Sequence, residues 1–143
     1  MADEVLVRSI ALACPVEHAF AVFTDKIDLW WPRAHQRNRD AWMSLTDEGL
    51  VEHAPDGSKW VLGGIAKKEP PHFLALDWFA GSSAVAPTSV EVRFAAEGEG
   101  TLVTVTHRAL TLETKSIWPD RVSRFVTGWD TVLPALKTYI EEK

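Results

Sequence analysis

The stretch VSRFVTGWDTVLPALKTYI, residues 122–140, decides the fold, because it is the one long segment with a helical repeat. Its apolar side chains recur about every 3.6 residues, which places them along one face of an α-helix. These side chains are Val122, Phe125, Val126, Trp129, Val132, Leu133, Leu136, Tyr139 and Ile140. Pro134 lies inside this helix and cannot donate to the carbonyl of Asp130, so we expect a local bend there. The sequence therefore predicts a C-terminal amphipathic helix over roughly the last 25 residues.

The residues before this helix, from about 42 to 108, have the alternating pattern of strands. Short turn sequences separate them, namely TDEG at 46–49, PDGS at 55–58 and EGEG at 97–100. Strands joined by such short turns pair in the antiparallel direction. Gly63 and Gly64 interrupt one strand, which indicates a bulge or a sharp bend.

The N-terminal part supplies a further strand, VLVRSIAL at 5–12, and two short helices. The first helix begins at Pro15, and the second ends at Pro32. The whole chain is thus expected to form one α+β domain, residues 1–143, with six or seven antiparallel strands curled around one long helix. One helix is too slim to fill the concave side of such a sheet, so we predict a central cavity with the short helices at its mouth.

Five ordered segments resemble the START-like superfamily, also called SRPBCC, and within it the branch of activators of heat-shock protein 90 ATPase. They are PVEHAFAVFTDKIDLWWP, DGSKWVLGGIAKKEPPHFLALDW, PTSVEVRF, GTLVTVTHRAL and GWDTVLPALKTYIEE. The resemblance implies a helix-grip fold with a cavity able to hold a ligand. It implies no shared set of catalytic residues.

Composition excludes several functional classes. The net charge is −5 and no basic cluster dominates, which argues against a nucleic-acid surface. The sequence predicts no membrane span, no secretory signal, no metal site and no cofactor. Cys14 is the single cysteine, which is typical of a cytoplasmic protein. The sequence leaves open whether the protein forms a homodimer.

The seven tryptophans are the unusual feature of the composition. Trp30 and Trp31 are adjacent, so one of them is expected to pack into the core while the other faces the cavity mouth. Inward-facing side chains on the strands and the long helix would line the cavity, although packing in an ordinary core is an alternative for each. The predicted ligand-binding residues are Trp30, Trp31, Trp60, Trp78, Phe94, Val105, His107, Phe125 and Trp129.

Two polar features accompany these aromatic residues. His107 shares a strand face with Val103 and Val105, so it is predicted to point inward, either as a polar handle or as a buried core histidine. A basic segment follows the second short helix, and it could attract an anionic head group to the mouth or form a solvated loop. Its members are Arg33, His35, Arg37 and Arg39.

These observations favour a protein that binds an apolar or amphipathic small molecule. Two alternatives remain open. One is a cyclase-like or hydrolase-like enzyme in which His107 acts as acid and base, and this requires a carboxylate within reach. The other is a chaperone-associated interaction module, an idea that rests on the resemblance alone.

Overall fold

The computed structural model describes residues 5–36, 38–79 and 86–142. The helices are α1 at Val16–Asp25, α2 at Ile27–Trp30 and α3 at Leu112–Glu141, with a short 3₁₀ turn at Arg33–His35. The strands are β1 at Val5–Leu12, β2 at Trp42–Thr46, β3 at Gly49–His53, β4 at Lys59–Glu69, β5 at Phe73–Trp78, β6 at Thr88–Glu97 and β7 at Gly100–Arg108. The predicted order of elements is confirmed.

The strands form one antiparallel sheet of seven strands in the order β1-β7-β6-β5-β4-β3-β2. Strands β2 to β7 follow one another as hairpins, whereas β1 lies at the far edge beside β7, with Val5 opposite Arg108. The first strand and the last strand are therefore neighbours. This arrangement confirms the predicted antiparallel sheet, and α3 packs against it as the long helix of an α+β fold.

The prediction of a bulge or a bend at the glycine pair is met in β4 by two irregularities of strand pairing, one on each side of the pair. The pairing register of β4 shifts against β3 between Leu50 and Val51, and it shifts against β5 between Ile65 and Lys67. A Cβ atom added at Gly63 would lie 2.8 Å from the carbonyl oxygen of Asp77, so a side chain does not fit there. Irregular pairing of this kind increases the local twist of a sheet and lets it curl.

Helix α3 begins earlier than the sequence predicted, and it has 30 residues. A capping box fixes its start: the Thr111 side chain accepts from the Thr114 N–H at 3.1 Å, and the Thr114 hydroxyl oxygen accepts from the Thr111 N–H at 3.0 Å. The helix runs through Pro119 as well as Pro134. The prediction stopped short because this box uses threonine at its fourth position instead of the usual acid or amide.

Three polar contacts fasten the C-terminal half of α3 to β1 and the residue that follows it. The Arg8 guanidinium donates to the Asp130 carboxylate at 2.9 Å. The Lys137 ammonium donates to the carbonyl oxygen of Ala11 at 2.8 Å, and the Ala13 N–H donates to the Glu141 carboxylate at 3.0 Å. Each contact joins the two ends of the chain. Within the described residues, no helix is both long enough and apolar enough to cross a membrane.

Candidate ligand-binding site

A pocket of about 200 Å³ lies between α3 and the segment that follows α2. Its wall is mostly aromatic, and one side is open to solvent. The lining residues are Trp31, His35, Trp78, Arg124, Phe125, Gly128, Trp129 and Val132. The space under α3 is thus mostly packed, and the predicted central cavity is reduced to a lateral pocket near its mouth.

Three elements position the apolar wall. Phe125, Trp129 and Val132 stand at helical spacing on the face of α3 that turns toward the sheet. Trp78 comes from the end of β5, and the centre of its ring lies 5.3 Å from that of Trp129. Trp31 follows α2, where the backbone is already extended.

The adjacent tryptophans have different environments. The indole N–H of Trp30 donates to the carbonyl oxygen of Val22 at 2.9 Å, and its ring packs on Phe23, with 5.3 Å between the ring centres. Trp31 is also buried, but it lines the pocket, and its indole N–H has no hydrogen-bond partner. A buried donor without a partner costs about 1–3 kcal/mol. Trp30 therefore belongs to the core, and Trp31 belongs to the pocket wall.

His107 is fully buried beside the pocket, which confirms its predicted inward direction. The Trp129 indole N–H donates to its Nδ1 at 3.0 Å, so Nδ1 carries no proton. The proton therefore lies on Nε2, which is 2.8 Å from the Thr88 hydroxyl oxygen. Thr88 in turn donates to the carbonyl oxygen of Trp78 at 3.4 Å. Both ring nitrogens are engaged in this chain of hydrogen bonds.

Burial lowers the pKa of His107 from 6.5 to about 3, because the charged ring would lose its hydration. Aromatic rings surround it. The ring centres of Phe125 and Trp118 lie 4.2 Å and 5.5 Å from its own. No carboxylate of the described residues bonds to the ring. The alternative in which His107 acts as acid and base gains no support from this geometry, because the ring is neutral and both of its nitrogens are engaged. The term His107 cluster is used below for His107 and the groups around it, namely Thr88 and the rings of Trp78, Trp118, Phe125 and Trp129.

Besides Trp30 and His107, three further residues predicted to line a cavity do not line this pocket. Phe94 and Val105 are 1% and 0% exposed and lie in the packed core, where Phe94 makes edge contacts with Phe20 and Phe23. Trp60 is 50% exposed, so it does not form part of a buried cavity wall as predicted. It stands near the start of β4, beside Asn38, Glu52 and Ser58, and it is absent from the space under α3.

The basic segment contributes one residue to the pocket, namely His35. Burial lowers the pKa of His35, which favours its neutral form. Arg33 instead holds the loop: its guanidinium donates to the carbonyl oxygen of Ala41 at 2.6 Å and lies 3.5 Å from the Asp28 carboxylate. Arg39 is exposed and does not line the pocket, and Arg37 lies outside the described residues.

Sequence reasoning missed Arg124, Gly128 and Trp118. The first two line the pocket, and they also line a shallow hollow that adjoins it, together with His35, Ser123 and Thr127. A glycine inside a helical repeat was a usable signal, because it costs about 1 kcal/mol relative to alanine and usually has a packing or functional reason. Trp118 is buried against His107, and its indole N–H has no hydrogen-bond partner. It was missed because the helix was expected to begin later.

No group of three or more metal-ligating side chains is present in the described part of the chain. The site is an apolar pocket with polar groups at its rim, formed by a curved sheet and the long helix that the sheet surrounds. These features define a helix-grip protein of the START-like class.

Residues 13–141 match the model of the family described as Activator of Hsp90 ATPase homolog 1-like protein. The chain belongs to this family, which confirms the branch suggested by the sequence. No curated protein sequence matches the chain.

Solved structures with the same fold are similar over almost the whole chain. Protein NE0264 from Nitrosomonas europaea has a TM-score of 0.68 and 18% identity, over 99% of this chain and 97% of that one. CalU16 from Micromonospora echinospora has a TM-score of 0.63 and 21% identity, over 96% and 76%. The Aha1 dimer from Colwellia psychrerythraea has a TM-score of 0.62 and 15% identity, over 96% of both chains. At these identities the similarity shows the fold alone.

Proposed function

We propose that the protein binds a small, flat, apolar molecule in the pocket beside α3. The observation that carries this proposal is an aromatic-walled space that stays open after the rest of the helix–sheet interface has packed. Trp31, Trp78 and Trp129 supply ring faces from three different elements. Pockets with apolar walls and a few polar groups are the usual form of small-molecule sites.

The volume of the pocket limits the size of the ligand. A cavity of about 150 Å³ is large enough to bind benzene. The pocket here has about 200 Å³ and is open on one side. It therefore suits a ligand of one or two fused rings, and it is too small for a long acyl chain.

The expected affinity is modest. Burial of about 200 Å² of apolar ligand surface contributes about 5 kcal/mol before the costs of association. Dissociation constants from about 100 μM to 1 mM are therefore expected for a probe without polar contacts. Such affinities suit a titration followed by nuclear magnetic resonance.

The seven indole N–H groups provide a direct test. We expect titration with 2-naphthalenemethanol to shift the indole signals of Trp31, Trp78 and Trp129. The signals of Trp42 and Trp60, which are 51% and 50% exposed, serve as internal references. Saturating shifts confined to the exposed pair, or no shifts at all, would contradict the proposal.

A matched pair of variants locates the site. Val132→Phe adds a ring to the pocket wall and should abolish the titration by filling the space. Val61→Phe places the same substitution on β4, where Val61 is 44% exposed, and should leave the titration unchanged. Equal effects of the two substitutions would show that the probe binds elsewhere.

The other functional predictions have less support. The enzyme alternative stays a prediction, and the neutral, fully hydrogen-bonded ring of His107 gives it no support. A chaperone-associated role has only the family description in its favour and stays a prediction. The structural similarity to a protein solved as a dimer is compatible with a homodimer, which also stays a prediction, as does a cytoplasmic location.

A further inference from the structure

We propose that the ligand is an aromatic carboxylate, whose ring enters the pocket while Arg124 binds its carboxylate group at the rim. This inference rests on the proposed function, because it assigns a ligand class to the same pocket. It depends on three features of the rim as the described residues form it: a cation that the protein does not use for its own structure, a lining without acidic side chains, and a glycine that leaves the opening clear.

Arg124 is the cation. It lines both the apolar pocket and the shallow hollow outside it. Other arginines serve the fold, since Arg8 pairs with Asp130 and Arg33 pairs with Asp28. Among the described residues, no hydrogen bond or ion pair holds Arg124, and it does not pair with Asp120 one helical turn away. Its planar guanidinium is therefore available for two parallel hydrogen bonds to a carboxylate.

Among the residues that the structure describes, no acidic side chain lines either hollow, although the chain has 20 Asp and Glu residues and a net charge of −5. His35 is the other titratable group that the described part of the chain places at the rim, and burial lowers its pKa, so it adds little positive charge at neutral pH. Ser123 and Thr127 of α3 add hydroxyl groups beside Arg124. The rim is thus a small positive region on an acidic protein, and it favours an anion over a cation.

Gly128 keeps the two hollows connected. It lies one turn after Arg124 and lines both of them. An added Cβ atom would meet only the His35 ring, at 4.0 Å, so the glycine is not required by close packing of the backbone. A larger side chain at this position would extend into the gap between α3 and His35. The glycine weakens the helix but leaves a path from the rim into the pocket.

The test compares an anion with a neutral molecule of nearly the same shape. We expect 2-naphthoate to bind about 3- to 10-fold more tightly than 2-naphthalenemethanol at 50 mM salt, the range expected for a partly exposed charge pair. The advantage should shrink at 500 mM salt because exposed charges are screened. The affinity of the neutral probe should hardly depend on salt.

Two arginine variants separate a specific contact from a general charge effect. Arg124→Gln should remove the preference for 2-naphthoate and leave the affinity of the neutral probe within about twofold. Arg93→Gln changes the net charge equally but lies on the outer face of β6, beside Glu91, and should keep the preference. Gly128→Leu should weaken both probes at least 10-fold, and the Trp30 indole signal reports whether the core remains folded.

The outcomes distinguish the two proposals. Equal binding of the two probes by the unmodified protein, or a preference that survives Arg124→Gln, overturns the assignment of a carboxylate but leaves an apolar binding site. Binding of neither probe overturns both. If Gly128→Leu leaves the affinity of both probes unchanged, the ligand does not enter past α3. This result also overturns the inference.

Discussion

The two regions beneath α3 differ in how completely they are packed. In the His107 cluster, both nitrogens of a buried histidine have partners, and aromatic rings surround the ring on several sides. In the adjoining pocket, Gly128 leaves a gap that is open to solvent on one side. Trp78, Phe125 and Trp129 belong to both regions, and the Trp129 N–H bonds to His107 while its ring lines the pocket. The difference shows that one helix face can close a core at one point and leave a binding site open at the next.

The largest expected effect is the loss of stability when a ring is removed from the His107 cluster. Trp118→Ala should lower the free energy of unfolding by about 3–5 kcal/mol, because Trp118 is 3% exposed and packs on His107 and Phe125. His35→Ala at the pocket rim should cost less than about 1 kcal/mol. Urea unfolding curves for both variants check the contrast. A similar loss in both would mean that the pocket region is packed as firmly as the cluster.

The next largest effect is a fall in the free energy of unfolding as the pH is lowered. The pKa of His107 is about 3 in the folded protein and near 6.5 when unfolded, so the unfolded chain binds a proton that the folded chain rejects. Stability from this group is complete above pH 6.5 and is lost as the pH falls toward 3. Between pH 7 and pH 5 the free energy of unfolding should fall by about 2 kcal/mol through His107 alone.

The matched variant is His107→Gln, which keeps a polar side chain but cannot titrate. Its unfolding free energy should decline less steeply over the same pH range, although it should be less stable at pH 7. Chemical denaturation at several pH values measures both slopes. If the unfolding free energies of the two proteins fall in parallel with pH, His107 is not the group responsible for the loss of stability.

A smaller effect separates the adjacent tryptophans. Trp30→Phe removes the hydrogen bond to the Val22 carbonyl, whereas Trp31→Phe removes an N–H that bonds to nothing. We therefore expect Trp30→Phe to cost about 1 kcal/mol more than Trp31→Phe. Thermal unfolding of both variants tests this. The opposite order would mean that Trp31 contributes more to the core than its position indicates.

The smallest expected effect is an increase in stability. Gly128→Ala should stabilise the protein by about 0.5–1 kcal/mol, because alanine is the better helix former and its methyl group has room beside His35. A melting temperature raised by a few degrees would agree with this expectation. A decrease would show that the gap at Gly128 is tighter than the distance of 4.0 Å indicates.

The sequence predicted the scaffold better than the site, for a physical reason. The apolar stripe of α3, the alternation in β6 and the glycine pair in β4 are local patterns, and each fixes a local geometry. Trp60 shows the limit of this reasoning. Alternation along β4 relates it to the buried Leu62, but the pairing with β3 skips Leu62, so the alternation does not continue from Leu62 to Trp60.

The pocket itself was less predictable. Its volume is the small difference between the space that the curved sheet encloses and the volume of the side chains that fill this space. Arg124 illustrates a second limit. The arginines near the predicted mouth drew attention to residues 33–39, but Arg33 is occupied by the loop, and the available cation comes from α3. Proximity in sequence does not show which side chains a fold leaves without a structural role.

The contacts between β1 and α3 have a consequence for synthesis of the protein on the ribosome. Arg8 and Asp130 are separated by 122 residues, and Ala13 and Glu141 by 128. Residues this far apart can meet only after α3 has been translated. The hairpins from β2 to β7 can pair earlier, and α1 can already pack on part of the concave side through Phe20 and Phe23. The rest of that apolar side stays uncovered until α3 has left the ribosome.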